Sequence, residues 1–141
     1  EQIANGQMLE HAEYCGKYYG TPSSQIMDWI EEGRDVVLEI EVQGARQIKE
    51  KRPDCVSIFV LPPSLEELEK RLRYRNTEDE ETIKKRLAVA RQEMETARDY
   101  DYVIVNDTIE HTVEQINKII AAEKLKVSRA KSNIERVLNN D

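Results

Sequence analysis

An α/β fold, a parallel sheet flanked by helices on both faces, follows from three features of the sequence. Runs of strand-forming residues, VVLEIEV at 36–42, CVSIFVL at 55–61 and YVIV at 102–105, alternate with segments of helical period. The connections between them are long enough for the helical crossovers that parallel strands require. CVSIFVL is an almost unbroken apolar run, the pattern of a strand covered on both faces. Three strands are few for such a sheet, so an N-terminal βα portion is expected to be missing from this chain.

Taken in order, EQIANGQMLEHAEY places Ile3, Ala4 and Met8 at helical spacing and predicts an opening amphipathic helix. Gly16 to Pro22 fits neither period and reads as an irregular segment. Ser23 or Ser24 caps a helix to about Glu32, with Ile26, Trp29 and Ile30 inward and Gly33 as a left-handed stop. The strand VVLEIEV puts Val36, Leu38, Ile40 and Val42 on one face and Val37, Glu39 and Glu41 on the other. A short helix from about Gly44 to Lys51 ends at Pro53. After CVSIFVL and Pro62-Pro63, Ser64 and Glu67 form a capping-box pattern, and Leu65, Leu68 and Leu72 give the next helix its buried stripe. NTEDEE at 76–81 is a surface loop by composition. Ile83, Leu87, Ala90, Met94 and Ala97 then mark a long helix from about Glu80 to Arg98. YVIV is the third strand, and one or two Glu- and Lys-rich helices follow from about Ile109, with the last ten residues expected to fray.

Composition narrows the class. The chain has 141 residues, suiting one domain, with 35% charged and 39% apolar residues and a mean hydropathy of −0.70, as in a water-soluble, helix-rich protein. A net charge of −7 argues against broad binding of nucleic acid or anionic membrane. No apolar run approaches a membrane span. Cys15 and Cys55 lack metal or redox spacing, which points to a reducing cytoplasm.

Three groups of residues could carry chemistry. Arg71 and Arg75 lie four apart on one helix face, and Arg86 sits early on the next helix. Three guanidiniums around a helical hairpin could close on a polyphosphate, although each alone reads more simply as a solvated arginine paired with Glu67, Glu78 or Glu81. Tyr19 and Thr21, in KYYGTP, offer a phenol and a hydroxyl near Glu10, a carboxylate able to accept from two N–H groups, as guanine presents; equally, a tyrosine there could pack in the core and Thr21 could cap the following helix. Glu39 and Glu41 close one face of a strand just before a Gly, where ligands bind in open parallel sheets; an edge strand with a solvated face fits as well. His11 and His111 read as surface histidines, and neither a nucleophile–base pair nor a metal-ligand cluster is evident.

In order and spacing, EHAEYCGKYYGTP, LEIEVQGARQI, FVLPPSLEELEKRL, RNTEDEETIKKRL and YDYVIVND together closely resemble bacterial guanylate kinases over nearly the whole chain. The resemblance implies a P-loop nucleoside-monophosphate-kinase fold with a helical lid, transferring the γ-phosphoryl of ATP to GMP (or dGMP) with Mg2+ in the cytoplasm. Within a single partial domain it marks 1–35 as the end of the GMP-binding region, 36–63 as core strands, 64–98 as the lid and its flanking helices, and 99–141 as the C-terminal core. It implies that Glu10 reads the guanine edge, Tyr19 holds the GMP phosphate and Thr21 lies beside the base. Glu39, commonly Asp in the family, would face GMP and the metal-bound waters, with Glu41 in support. Arg71, Arg75 and Arg86 match the lid arginines, Arg75 also on the ATP side, and Asn106 matches the residue near the adenine. Two departures stand out: Asn76 replaces the usual lid Gly, and the chain contains no Gly-x-x-Gly-x-Gly-Lys loop and no upstream Thr-Ser-Arg segment. The 141 residues by themselves are therefore expected to be nearly inert. The alternative is a guanylate-kinase-like module that binds phosphorylated peptides; retention of all three lid arginines favours the kinase.

Overall fold

The computed structural model describes residues 8–14, 17–74 and 79–139, with side chains from residue 24 onward. The chain divides into two compact units, Glu1–Ile58 with Gln92–Tyr102, and Phe59–Arg91 with Val103–Asp141.

The first unit opens with an antiparallel hairpin, β1 (Met8–Tyr14) and β2 (Lys17–Pro22). This corrects two expectations, the opening helix over the described part of 1–14 and the irregular segment before Pro22. Ile, Ala and Met at helical spacing are a weak local preference, and ladder bonds with the strand-forming Tyr-Tyr-Gly-Thr run outweigh it. Helix α1 (Ser23–Glu31) forms as expected. Its end is a Schellman turn: Gly33 at φ +83° donates to the Ile30 carbonyl (3.0 Å) and Arg34 to that of Trp29 (3.0 Å). Ile26 is buried and Trp29 half-buried, whereas Ile30 is 40% exposed, contrary to its expected inward placement.

Val36–Glu41 carries no sheet ladder, so the strand expected there is not formed among the described residues. Strand-forming side chains do not suffice where no neighbouring chain supplies N–H and C=O partners. The alternation itself holds: Val36, Leu38 and Ile40 pack with Trp29 and Cys55 around buried Ile26 and Ile48, while Val37 is 71% exposed. Ile48 comes from α2 (Val42–Lys51), which begins two residues earlier than expected. Burial raises the Cys55 thiol pKa.

A polar knot joins the later segments of this unit. Asp101 accepts from Ser57 N (2.8 Å), Ser57 Oγ (3.0 Å) and Lys49 Nζ (2.9 Å), and Asp101 N donates back to Ser57 Oγ. Burial acts to raise the Asp101 pKa, but these bonds outweigh it and hold the carboxyl below its usual range. The stabilisation is thus full above the unfolded value, about pH 4, and is lost as pH falls through the lower folded value. Asp101→Asn is expected to cost about 1 kcal/mol at neutral pH and to lessen the fall in Tm on acidification below about pH 4, as thermal melts across pH 2–7 would register.

Strands β3 (Ile58–Leu61) and β4 (Tyr102–Val105) form a two-stranded sheet. Tyr102 N donates to Ser57 O and Asn106 N to Leu61 O, the same sequence offset, so the strands run parallel as expected. Complete cover of CVSIFVL on both faces is not observed: only Ile58–Leu61 is in the ladder, and Val60 is exposed.

In the second unit Ser64 Oγ caps α3 (Leu65–Tyr74) by accepting from Glu67 N at 3.0 Å, as the capping pattern predicts. Its leucine stripe is shallower than expected, with Leu68 and Leu72 half-buried and Leu65 exposed. Helix α4 (Glu80–Glu95) begins in the second unit, where it buries Ile83; its last residues and the 3-10 turn that follows, Thr96–Asp99, are counted in the first. Helices α5 (Ile109–Lys124) and α6 (Val127–Leu138) pack together. Helix α6 runs to Leu138, through most of the last ten residues. Glu123, only 6% exposed, accepts from Lys126 Nζ (2.8 Å) and faces Arg129 Nε (3.5 Å) across the junction. No described helix is long and apolar enough to cross a membrane.

Candidate active site

The candidate residues fall in both units. In the first, the hairpin register sets Glu10 directly opposite Thr21 and Ala12 opposite Tyr19, with an irregularity between Met8 and Glu10. Residues separated by a turn in sequence thus become cross-strand neighbours, a proximity that periodicity could not supply. The side chains of Glu10, Tyr19 and Thr21 lie outside the described atoms.

Glu39 is exposed and has neither a hydrogen-bond nor an ion-pair partner among the described residues. Glu41 is differently employed. It is the N-cap of α2, with Oε2 accepting from Gln43 N at 2.8 Å and Oε1 from Gly44 N at 2.5 Å. Both carboxylate oxygens therefore satisfy helix-end amides, where the helix dipole also favours negative charge. The sequence signal for this was available: a carboxylate one residue before Val-Gln-Gly suits an N-cap once the helix is begun at Val42 rather than Gly44. Its charge also reaches two groups that sequence reasoning missed. Burial, then Glu41, raises the Glu93 carboxyl pKa. Burial, then Glu41 and Glu93, raises that of the Tyr100 phenol. Glu41→Ala is expected to cost about 1 kcal/mol by loss of the cap and to let the Glu93 pKa fall, changes that chemical denaturation and carboxylate titration by NMR would detect.

In the second unit the structure joins two of the predicted residues. Arg71 on α3 donates from Nη2 to the Asn106 carbonyl at 3.2 Å while Nε faces Glu67 Oε1 at 3.4 Å. Asn106 closes β4, donates to Leu61 O at 2.7 Å, and accepts at Oδ1 from Thr112 Oγ1 at 3.2 Å. The next residues turn into α5, with Thr108 as its N-cap accepting from His111 N. Asp107 accepts from Thr108 N and pairs with the His111 ring at 2.8 Å; the His111 bond first, then Thr108, holds its carboxyl below the usual range. His111 is at the surface, as expected, but has this carboxylate partner. Beside Arg71 opens a depression of about 330 Å³ lined by Glu67, Lys70, Arg71 and Tyr74, the last 94% exposed. Arg86 is half-buried on α4. Arg75 and Asn76 lie outside the described residues. No group of three or more potential metal ligands occurs among the described residues.

An arginine fixed at the C-terminal end of a parallel strand pair lies where open α/β sheets bind their ligands, and its planar fork suits phosphate, as in an α/β nucleotide-binding protein. Comparison with known proteins makes this specific. The guanylate kinase family model matches residues 1–123. The chain is 51% identical over 139 residues to a guanylate kinase of Lactococcus lactis, covering 99% of this chain and 66% of that protein. To one of Clostridioides difficile it is 50% identical over 134 residues, 95% of this chain and 65% of the relative. The crystal structure of guanylate kinase from Anaplasma phagocytophilum superposes with a TM-score of 0.76 at 38% identity, covering 91% of this chain and 62% of that one. The chain belongs to the guanylate kinase family. It spans about two thirds of the length of the curated relatives it matches.

Proposed function

We propose that this chain supplies the GMP-binding and lid portion of an ATP:GMP phosphotransferase acting in the cytoplasm. The observation that carries this is the bond from Arg71 to the Asn106 carbonyl at the end of β4, which brings a residue matching the family's lid arginines against one matching its adenine side. The Glu10–Thr21 register supports the acceptor half.

In this reading Glu10 accepts the two adjacent N–H donors of guanine, an edge that adenine lacks, and Thr21 hydrogen-bonds beside it. Tyr19 donates its phenol to the GMP phosphate. Glu39, exposed and uncommitted, would hold the waters of a Mg2+ ion, whereas Glu41 is occupied by its cap and contributes through its charge. Mg2+, when bound with ATP, supplies charge neutralisation on the β- and γ-phosphates. A GMP phosphate oxygen attacks the γ-phosphorus as the bond to the β-bridging oxygen breaks, giving GDP and ADP. Arg71, Arg75 and Arg86 contribute by placing guanidiniums where charge moves from acceptor to leaving group, and Asn106 lies beside the adenine. The phosphopeptide-binding alternative has less support, because such a module does not need all three arginines.

The test is steady-state ADP and GDP formation by a full-length chain containing these residues, with ATP and Mg2+ and with GMP, dGMP or AMP as acceptor. Turnover with GMP or dGMP and little with AMP is expected. Equal turnover of AMP, or tight phosphopeptide binding without turnover, would overturn the proposal. The 141 residues alone, which contain no Gly-rich phosphate loop, are expected to turn over little or nothing.

A further inference from the structure

Helix α3 ends at Tyr74 and α4 begins at Glu80, and these two helix ends both lie in the second unit. Arg73 spans the gap between them. Its Nη1 donates to Glu80 Oε2 at 2.6 Å and its Nη2 to Glu80 Oε1 at 2.6 Å, a fork-on-fork pair. The same guanidinium meets Glu69 Oε1 through Nη2 at 2.8 Å and Nε at 3.3 Å. One planar cation thus ties the last turn of α3 to the first turn of α4, and Glu80 also sits where the α4 dipole favours an anion. The hydrogen bonds that Arg73 donates to Glu80, then to Glu69, raise its pKa, and the bond from Arg73 lowers that of Glu80.

Arg71 lies two residues before Arg73 on α3, and Arg86 six residues after Glu80 on α4. A clamp between the end of α3 and the start of α4 therefore limits how far the helix carrying Arg71 can shift relative to the one carrying Arg86. We infer that Arg73 is a positioning residue, whose two-carboxylate clamp on Glu69 and Glu80 holds the α3–α4 hairpin so that Arg71 and Arg86 are spaced for the phosphates. The clamp stands on its own geometry; its catalytic consequence rests on the kinase reading given above. A lysine, a point charge without the fork, cannot replace it. Because all three side chains reach solvent, the clamp weakens as salt rises.

The test has two arms. Hydrogen exchange is measured at low and moderate salt on the 141-residue chain for wild type, Arg73→Ala, Arg73→Lys, Glu80→Gln and the Arg73→Ala/Glu80→Gln double variant. Roughly two- to fivefold faster exchange is expected around residues 71–74 and 80–84 in each single variant, with no change in α5, and no further increase in the double variant. In the full-length kinase, Arg73→Ala and Arg73→Lys should lower kcat by a similar factor while the KM for GMP stays constant. Unchanged exchange, additive effects in the double variant, or full rescue by lysine would overturn the clamp. Faster exchange with unchanged kcat would overturn its positioning role. A full-length wild type without GMP-dependent turnover would sink the kinase reading and the catalytic half of this inference with it, while the exchange arm still decides the clamp.

Discussion

Replacing Arg71 by alanine in a full-length chain with the proposed kinase activity is expected to lower kcat by roughly 10²- to 10³-fold, the usual loss when one preorganised donor to transition-state charge is removed. The guanidinium is held ready by contacts on two sides, the Asn106 carbonyl at 3.2 Å and Glu67 at 3.4 Å. Neither contact uses all of its N–H donors, so the rest can turn to phosphate oxygens without the arm being rebuilt. Lysine at this position should recover little, since it offers no planar fork. The fold should hardly notice, because an exposed pair of this kind contributes about 1 kcal/mol or less. Steady-state kinetics beside a thermal melt separates the two effects: a large kcat loss with Tm nearly unchanged is the expected pair of results. A kcat within threefold of wild type would remove Arg71 from the reaction.

The second large effect is expected at Glu10. Glu10→Gln should raise the KM for GMP by roughly 10- to 100-fold and leave the KM for ATP unchanged, because the amide replaces one acceptor of a charged pair with a donor facing the donors of guanine. The ladder places Glu10 opposite Thr21, so the substitution is made at one position of an existing cross-strand pair. Initial rates with each nucleotide varied in turn check this. A rise in both KM values would point instead to a disturbed hairpin.

These expectations rest unevenly on sequence and structure. Helix α1 with its Gly33 stop, the Ser64 cap, β4 and the helical period of α4 were legible because each is a local signal, set by capping chemistry or by spacing within a few residues. The hairpin at residues 8–22 was not, since its stability lies in ladder bonds between segments whose own spacing suggested a helix and a loop. Val36–Glu41 failed in the opposite sense: its alternation correctly predicted which residues pack inward, but a ladder depends on a neighbour that alternation does not report. At the site, the residue types of Arg71 and Asn106 were visible, but their contact was not, because a side chain reaching a carbonyl 35 residues away leaves no periodic trace. Arg73 went unnoticed between two arginines of greater interest, although Glu69 four residues before it already offered half of its clamp. For Glu41 the resemblance implies a supporting place beside Glu39, whereas its cap is visible only with the true start of α2.

The central claim, that this chain builds an acceptor site that reads guanine, is tested most directly by calorimetric titration of the 141-residue chain with GMP and, in parallel, with AMP at low and moderate salt. The account predicts saturable binding of GMP and no measurable binding of AMP at the same concentrations, with the GMP signal abolished by Glu10→Gln. Equal binding of the two nucleotides would contradict it, because phosphate recognition alone would then explain everything the site does.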